Sequence, residues 1–274
     1  MSGLRAIPSR AKVFGLLVPA AALGVFTLML PPIPQPLEYH RFVDQRSFLG
    51  LPNFLNTVSN ALFVLAGVAG MLFLRGSSAD RAFIEPRESH PYALFFAAVI
   101  LVGFGSGAYH LAPDNERLVW DRAAIALALM AWFAAILCER ASPAVGLRLL
   151  PLLVVAGLGS VAYWGASEAN GAGDLRFYGL MQCLPMLLIP LLLILYPSRY
   201  SGDRDIVIVI GLYVLALLLD ASDRPVFRLT NGLISGHTAK HLVAALAAYR
   251  IMRHLKHRKI VRGWDDLFPN NTAR

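Results

Sequence analysis

Ser106 and His110 stand four residues apart, and so do His237 and His241. On a helix that spacing puts each pair on one face, about one turn apart. Two imidazoles so placed can hold one metal ion, as in the His-x-x-x-His helices of zinc hydrolases. Three histidines, His110, His237 and His241, with a fourth position open, make the usual shell of a catalytic zinc, which lowers the pKa of a bound water to about 7. Asp121, eleven residues after His110, has the carboxylate needed to take the water's proton and pass it to a leaving group. Ser106 supplies a hydroxyl able to steady an oxyanion forming at a carbonyl. Cysteine does not compete for the metal. Cys138 and Cys183 lie singly in apolar runs with no CxxC pairing and read as buried free thiols.

These side chains occur where polar groups are costly. Of 274 residues, 57% are hydrophobic and only 15% charged, with a mean hydropathy of +0.57. The apolar residues fall into blocks of about twenty, long enough to cross a hydrocarbon core of about 30 Å as helices. The pattern predicts an all-α polytopic transmembrane bundle of about eight spans, near 13–31, 53–74, 91–110, 119–138, 147–165, 175–196, 205–220 and 235–252. The span at 13–31 exceeds a signal-peptide core and ends in Pro31-Pro32, so it reads as a retained helix. An ionisable residue within a span is a functional candidate by default. Its ordinary alternatives are structural. His40, His90, His254 and His257 read as interfacial residues, Asp121 could pair with Arg122, and Asp220 with Arg224. Gly103-Phe-Gly-Ser-Gly107 lacks the Lys-Ser/Thr of a phosphate loop and reads as close helix packing.

Net charge is +8, but seven of the 25 Lys and Arg lie between Arg250 and Arg274, directly after an apolar helix. That is a basic cytoplasmic tail drawn to anionic lipid, and it argues against nucleic acid as a partner. With the N-terminus inside, inner segments hold 17 Lys and Arg and outer loops 5; without the tail the ratio is ten to five. Both termini are therefore expected in the cytoplasm. The end of the third span and the starts of the fourth and eighth then share the outer face. This count does not use the motifs, yet it places His110, Asp121, His237 and His241 at one depth.

The ordered set Ser106-xxx-His110, Asp121, His237-xxx-His241 resembles the alkaline ceramidase family, part of a membrane-hydrolase superfamily that includes the adiponectin receptors. Asn56-Thr-Val-Ser-Asn60 resembles the family's WNT-x-SN segment, with Leu55 in place of its Trp. The likeness covers about 50–255. It implies a seven-helix catalytic bundle over 53–252 around a zinc held by the three histidines, with Ser106 and Asp121 beside the reactive water. The helix at 13–31 would be additional to that core, and 253–274 would be the basic tail. The family also carries an acidic calcium-binding segment before its first helix. Here Asp44 and Asn53 could keep part of such a site, as a weak second metal site, but the Glu expected near Asn53 is missing and calcium is not expected. Compact loops and the extra helix point to a bacterial relative, in an inner membrane.

The leading expectation is a zinc-dependent amidohydrolase that cuts ceramide or a similar N-acyl lipid. A lipid ester hydrolase on the same site is a different enzyme class. A receptor-like or transport bundle is the non-enzymatic alternative, although neither inverted repeats nor matched broken helices are present.

Overall fold

Each apolar block forms a helix, and no strand occurs among the described residues, 9–261 of a computed structural model. The chain runs α1 (Ser9–Met29), α2 (Phe54–Val58), α3 (Ala61–Arg75), α4 (Ser89–Leu111), α5 (Asn115–Arg140), α6 (Pro143–Ala169), α7 (Arg176–Leu195), α8 (Asp203–Ala221), α9 (Asp223–Leu229) and α10 (Gly236–His257). This is an all-α bundle. The part of the basic tail beyond Val261 lies outside the described residues.

Six stretches are long and apolar enough to cross a membrane: α1, α2 with α3, Pro86–Leu111, α5, α6 and α7. A seventh exists if α8 and α9, bent by 84° at their junction, are one span. The expected eighth span forms as α10 but falls short in apolarity. Its 22 residues carry His237, Lys240, His241, Arg250, Arg253, His254, Lys256 and His257. A helix so polar needs protein around it, and α10 packs between α8 and α3.

Burial divides the helices by role. α5 is almost wholly enclosed, with α4 on one side and α6 on the other, whereas α1 lies at the rim against α7 with its apolar side chains outward. Leu65, Leu72, Phe104, Trp120, Leu152, Val155 and Ile194 also face outward. In water such a surface would be a large aggregation-prone patch; against lipid it is the required solvent contact. Cys183, expected to be buried, shares that outer surface, while Cys138 is buried.

Small residues set how closely the helices approach. A Cβ on Gly103 would lie 2.5 Å from Val64 Cγ2 and 2.9 Å from the Asn60 carbonyl oxygen, so α3 and α4 meet nearly backbone to backbone there. That contact is one turn before Ser106 and brings the α2–α3 segment against the functional end of α4. The expected packing role of the 103–107 glycines holds at this position.

The opposite end of the bundle is tied by buried charge. Arg258 pairs with Glu139, donates to the Ala82 carbonyl at 2.8 Å, and lies 3.8 Å over the Tyr200 ring. Tyr92 donates to Glu139 at 2.6 Å, and Tyr200 and Arg199 both donate to Glu88. Losing one partner of such a pair leaves a buried charge uncompensated, at a cost of about 3–5 kcal/mol. The exit of α10 is thereby fastened to α4 and α5. His254, expected at the interface, is buried beside this network with Nδ1 3.5 Å from Asp205.

Candidate metal centre

The polar end of the bundle is assembled from widely separated parts of the chain. α4 contributes His110 in its last turn, and α10 contributes His237 and His241 in its first two turns. All three are buried, and one ligand nitrogen from each lies within 4.8 Å of the others. The Nε2 atoms of His110 and His237 are 3.3 Å apart. The aromatic ring of Phe42 packs against both, with centroids 4.6 Å from each.

The outer nitrogens of two of these rings are already held. His237 Nδ1 is 2.7 Å from the Asp220 carboxylate on α8. His241 Nδ1 is 2.8 Å from Ser59 Oγ, which itself donates to the Asn56 carbonyl. A hydroxyl whose proton is so used accepts from Nδ1–H, and a carboxylate likewise accepts from His237 Nδ1–H. Both tautomers follow from these partners, and both leave a bare Nε2 lone pair facing inward. Such outer partners commonly orient metal-binding imidazoles. His110 Nδ1 has no partner among the described residues. Three buried histidines in this arrangement can hold a metal ion.

The Asn53–Asn60 segment acts as a bracket across the site. Asn53 adopts the left-handed conformation (φ 46°, ψ 45°) that Asn tolerates better than most residues. Its amide donates to the His110 carbonyl at 2.9 Å, while Asn56 accepts from Thr238 on α10 at 2.5 Å. The start of α10 is also capped by Ser235, whose Oγ accepts from the Thr238 amide. Asp223 accepts from the backbone amides of His237 and Val43, at 2.8 and 3.0 Å. Thus α4, α10 and the loop carrying Phe42 are held together by directed bonds as well as by apolar packing.

The chain matches no protein-family model and no curated protein.

Ser106 and Asp121 meet at the wall of a cavity of about 260 Å³ that His241 also lines. The Ser106 hydroxyl lies beside the Asp121 carboxyl on that wall, and Asp121 Oδ1 has no hydrogen-bond partner among the described residues. The other walls are largely apolar, including Phe95, Val99, Leu129 and Ile251. All five sequence-predicted residues, Ser106, His110, Asp121, His237 and His241, therefore occupy one end of the bundle.

Other expectations change. Asp121 makes no ion pair with Arg122. Asp220 pairs with His237 and Lys240, not Arg224, with Lys240 Nζ at 3.2 Å. Lys240 Nζ is also 3.2 Å from His237 Nε2. One lone pair serves one partner at a time, so an ion held by that nitrogen would leave the ammonium to Asp220. His40 bridges Tyr109 (2.9 Å) and Asn115 (3.0 Å) and takes no part in the triad.

At the weak second cation site weighed for Asp44 and Asn53, both side chains have other partners. Arg46 grips the Asp44 carboxylate with Nε at 2.8 Å and Nη2 at 2.7 Å, and Asn53 is committed to His110. Burial alone would raise the pKa of Asp44, but the Arg46 hydrogen bonds and charge hold it below the ordinary carboxylate value. That carboxylate is neutralised within its own loop.

Proposed function

We propose that the chain is a zinc-dependent membrane amidohydrolase that cleaves ceramide or a similar N-acyl lipid into an amine and a fatty acid. The observation that supports it most is the histidine triad beside a largely apolar cavity, within a lipid-facing bundle, whose wall carries His241 of the triad together with Ser106 and Asp121. The residues fit zinc. Tetrahedral bonds of about 2.0–2.1 Å place two ligand nitrogens about 3.3 Å apart, which is the His110–His237 separation. Three neutral imidazoles suit this borderline-soft ion. The arrangement agrees with the resemblance to the alkaline ceramidases.

Held by His110, His237 and His241, the ion would polarise the acyl carbonyl and make a bound water more acidic. Asp121 takes a proton from the attacking water and returns one to the amine nitrogen as the carbon–nitrogen bond breaks. The hydroxyl group of water thus ends on the acyl carbon and its proton on the leaving amine. Ser106 lies beside the carboxyl, and once Asp121 has taken the proton the single Ser106 hydroxyl hydrogen turns to the developing oxyanion. Phe95, Val99, Leu129 and Ile251 receive the acyl chain and exclude bulk water. The test is release of labelled fatty acid by purified protein from ceramide and from an ester of the same acid. Amide cleavage that stops with a chelator and returns with zinc is expected. Cleavage of the ester alone would move the function to a lipid esterase.

The Lys and Arg distribution further supports both termini in the cytoplasm and the site at the outer face of the membrane. A reporter fused after Arg274 is expected to read cytoplasmic and one within 170–173 external. An external C-terminus would reverse the orientation and change which leaflet supplies substrate.

A further inference from the structure

Arg122 is a buried cation that the hydrolytic chemistry leaves unused. It follows Asp121 on α5 and lines the same cavity. Its guanidinium lies 4.1 Å from the Trp164 ring centroid, 5.1 Å from Tyr178 and 5.6 Å from Tyr39. Nη2 donates to the Gln35 side-chain oxygen, while Nη1 has no partner among the described residues. Neither cavity carboxylate contacts it: Asp220 is taken by His237 and Lys240, and Asp121, its neighbour in the chain, acts on it through space without an ion pair. The other buried guanidinium groups among the described residues each have a carboxylate: Arg140 has Asp203, Arg199 has Glu88, and Arg258, which also lies against rings, has Glu139.

Rings stabilise a cation in part, but burying one without a counter-charge is unfavourable. A planar fork with one free arm suits an oxyanion of a ligand. The ligand's geometry limits where that anion can be. The scissile carbonyl must lie near Asp121 and His241, and the acyl chain belongs among the apolar walls. What remains beside Arg122 is the amine side of the lipid.

On the lipid-amide reading above, we infer that Arg122 binds an anionic group on the amine portion of the substrate: a carboxylate, sulfonate or phosphate. The preferred substrate class is then an acidic N-acyl lipid, such as an N-acyl amino acid, and neutral ceramide is a poorer member. Arg122 is a specificity residue and takes no part in the bond change.

N-oleoylglycine and its methyl ester are suitable probes, because they share the amide and acyl chain and differ mainly in charge. Each is titrated against a neutral fluorescent lipid bound to full-length, detergent-solubilised protein stripped of metal by chelator. Removing the metal keeps the result independent of whether zinc is the resident ion, and a binding readout keeps it independent of turnover. The acid is expected to displace the reporter at about 10–100-fold lower concentration than the ester, the range for a charge-assisted hydrogen bond. Arg122→Gln should remove that difference, and Arg122→Lys should keep part of it. Equal potency of acid and ester on the unaltered protein overturns the inference, whatever the variants do. Persistence of the preference in folded Arg122→Gln overturns it as well. Oleate and methyl oleate supply the last arm: discrimination by charge for this pair alone would mean that Arg122 reads the released acid, and the head-group assignment would fall.

Discussion

Purified protein is expected to contain about one zinc per chain, and the double change His237→Ala with His241→Ala to reduce it to background. Both substitutions remove imidazoles from the first two turns of α10, while Ala245, Ala248, Ile251 and Leu255 further along continue to hold the helix in the core. Helix content and monodispersity should therefore survive the loss of metal. An intermediate result is expected at Asp220, which touches His237 Nδ1 and would not touch the ion. Asp220→Asn should weaken zinc binding by about 10–100-fold, as removal of an orienting partner does. Metal analysis across the three proteins gives the graded order. Stoichiometric zinc retained by the double variant would remove these histidines from the ligand set, and with them the proposed hydrolysis.

The triad was legible because two kinds of sequence information agree. Helical spacing puts His237 and His241 on one face, and the Lys and Arg count brings that face to the depth of His110. The partners behind the triad were less legible, because they depend on how the chain turns between helices. Asp220 was visible as a carboxylate at the end of a span, and Arg224 four residues on was the natural partner by spacing. The 84° bend between α8 and α9 leaves Asp220 facing α10 instead. Gly236 permits the approach: a Cβ there would lie 2.7 Å from Asp223 Cα and also collide with the Leu219 carbonyl. Ser59 reaches His241 only because the chain breaks helix between α2 and α3. Asp44, weighed only as part of a weak cation site, has a local partner, since Arg46 two residues later neutralises it within the loop. The polarity of α10 follows from the same site: a helix carrying two ligands and Lys240 is enclosed by α8 and α3 rather than presented to lipid.

Asp121→Asn is expected to lower kcat by roughly 10²–10⁴-fold, the usual contribution of a positioned acid/base. Asparagine keeps the shape and can still accept from Ser106, so the cavity wall and the packing of α5 should be preserved. It cannot take a proton from water or return one to the amine. KM should change little, because most of the binding surface is apolar and this carboxyl acts in the chemical step. Zinc content should be retained, because the triad draws all its nitrogens from α4 and α10. A structural role predicts a different pattern. If the Asp121 charge served chiefly to balance Arg122 and Lys240 within the cavity, its loss would lower the melting temperature and leave turnover per folded molecule nearly intact. Zinc content, melting temperature and turnover measured on one preparation separate the two roles. A stable, zinc-loaded and fully active Asp121→Asn protein would exclude this residue as the acid/base, leaving no other carboxylate at the cavity free of a basic partner, since Asp220 is already shared between His237 and Lys240.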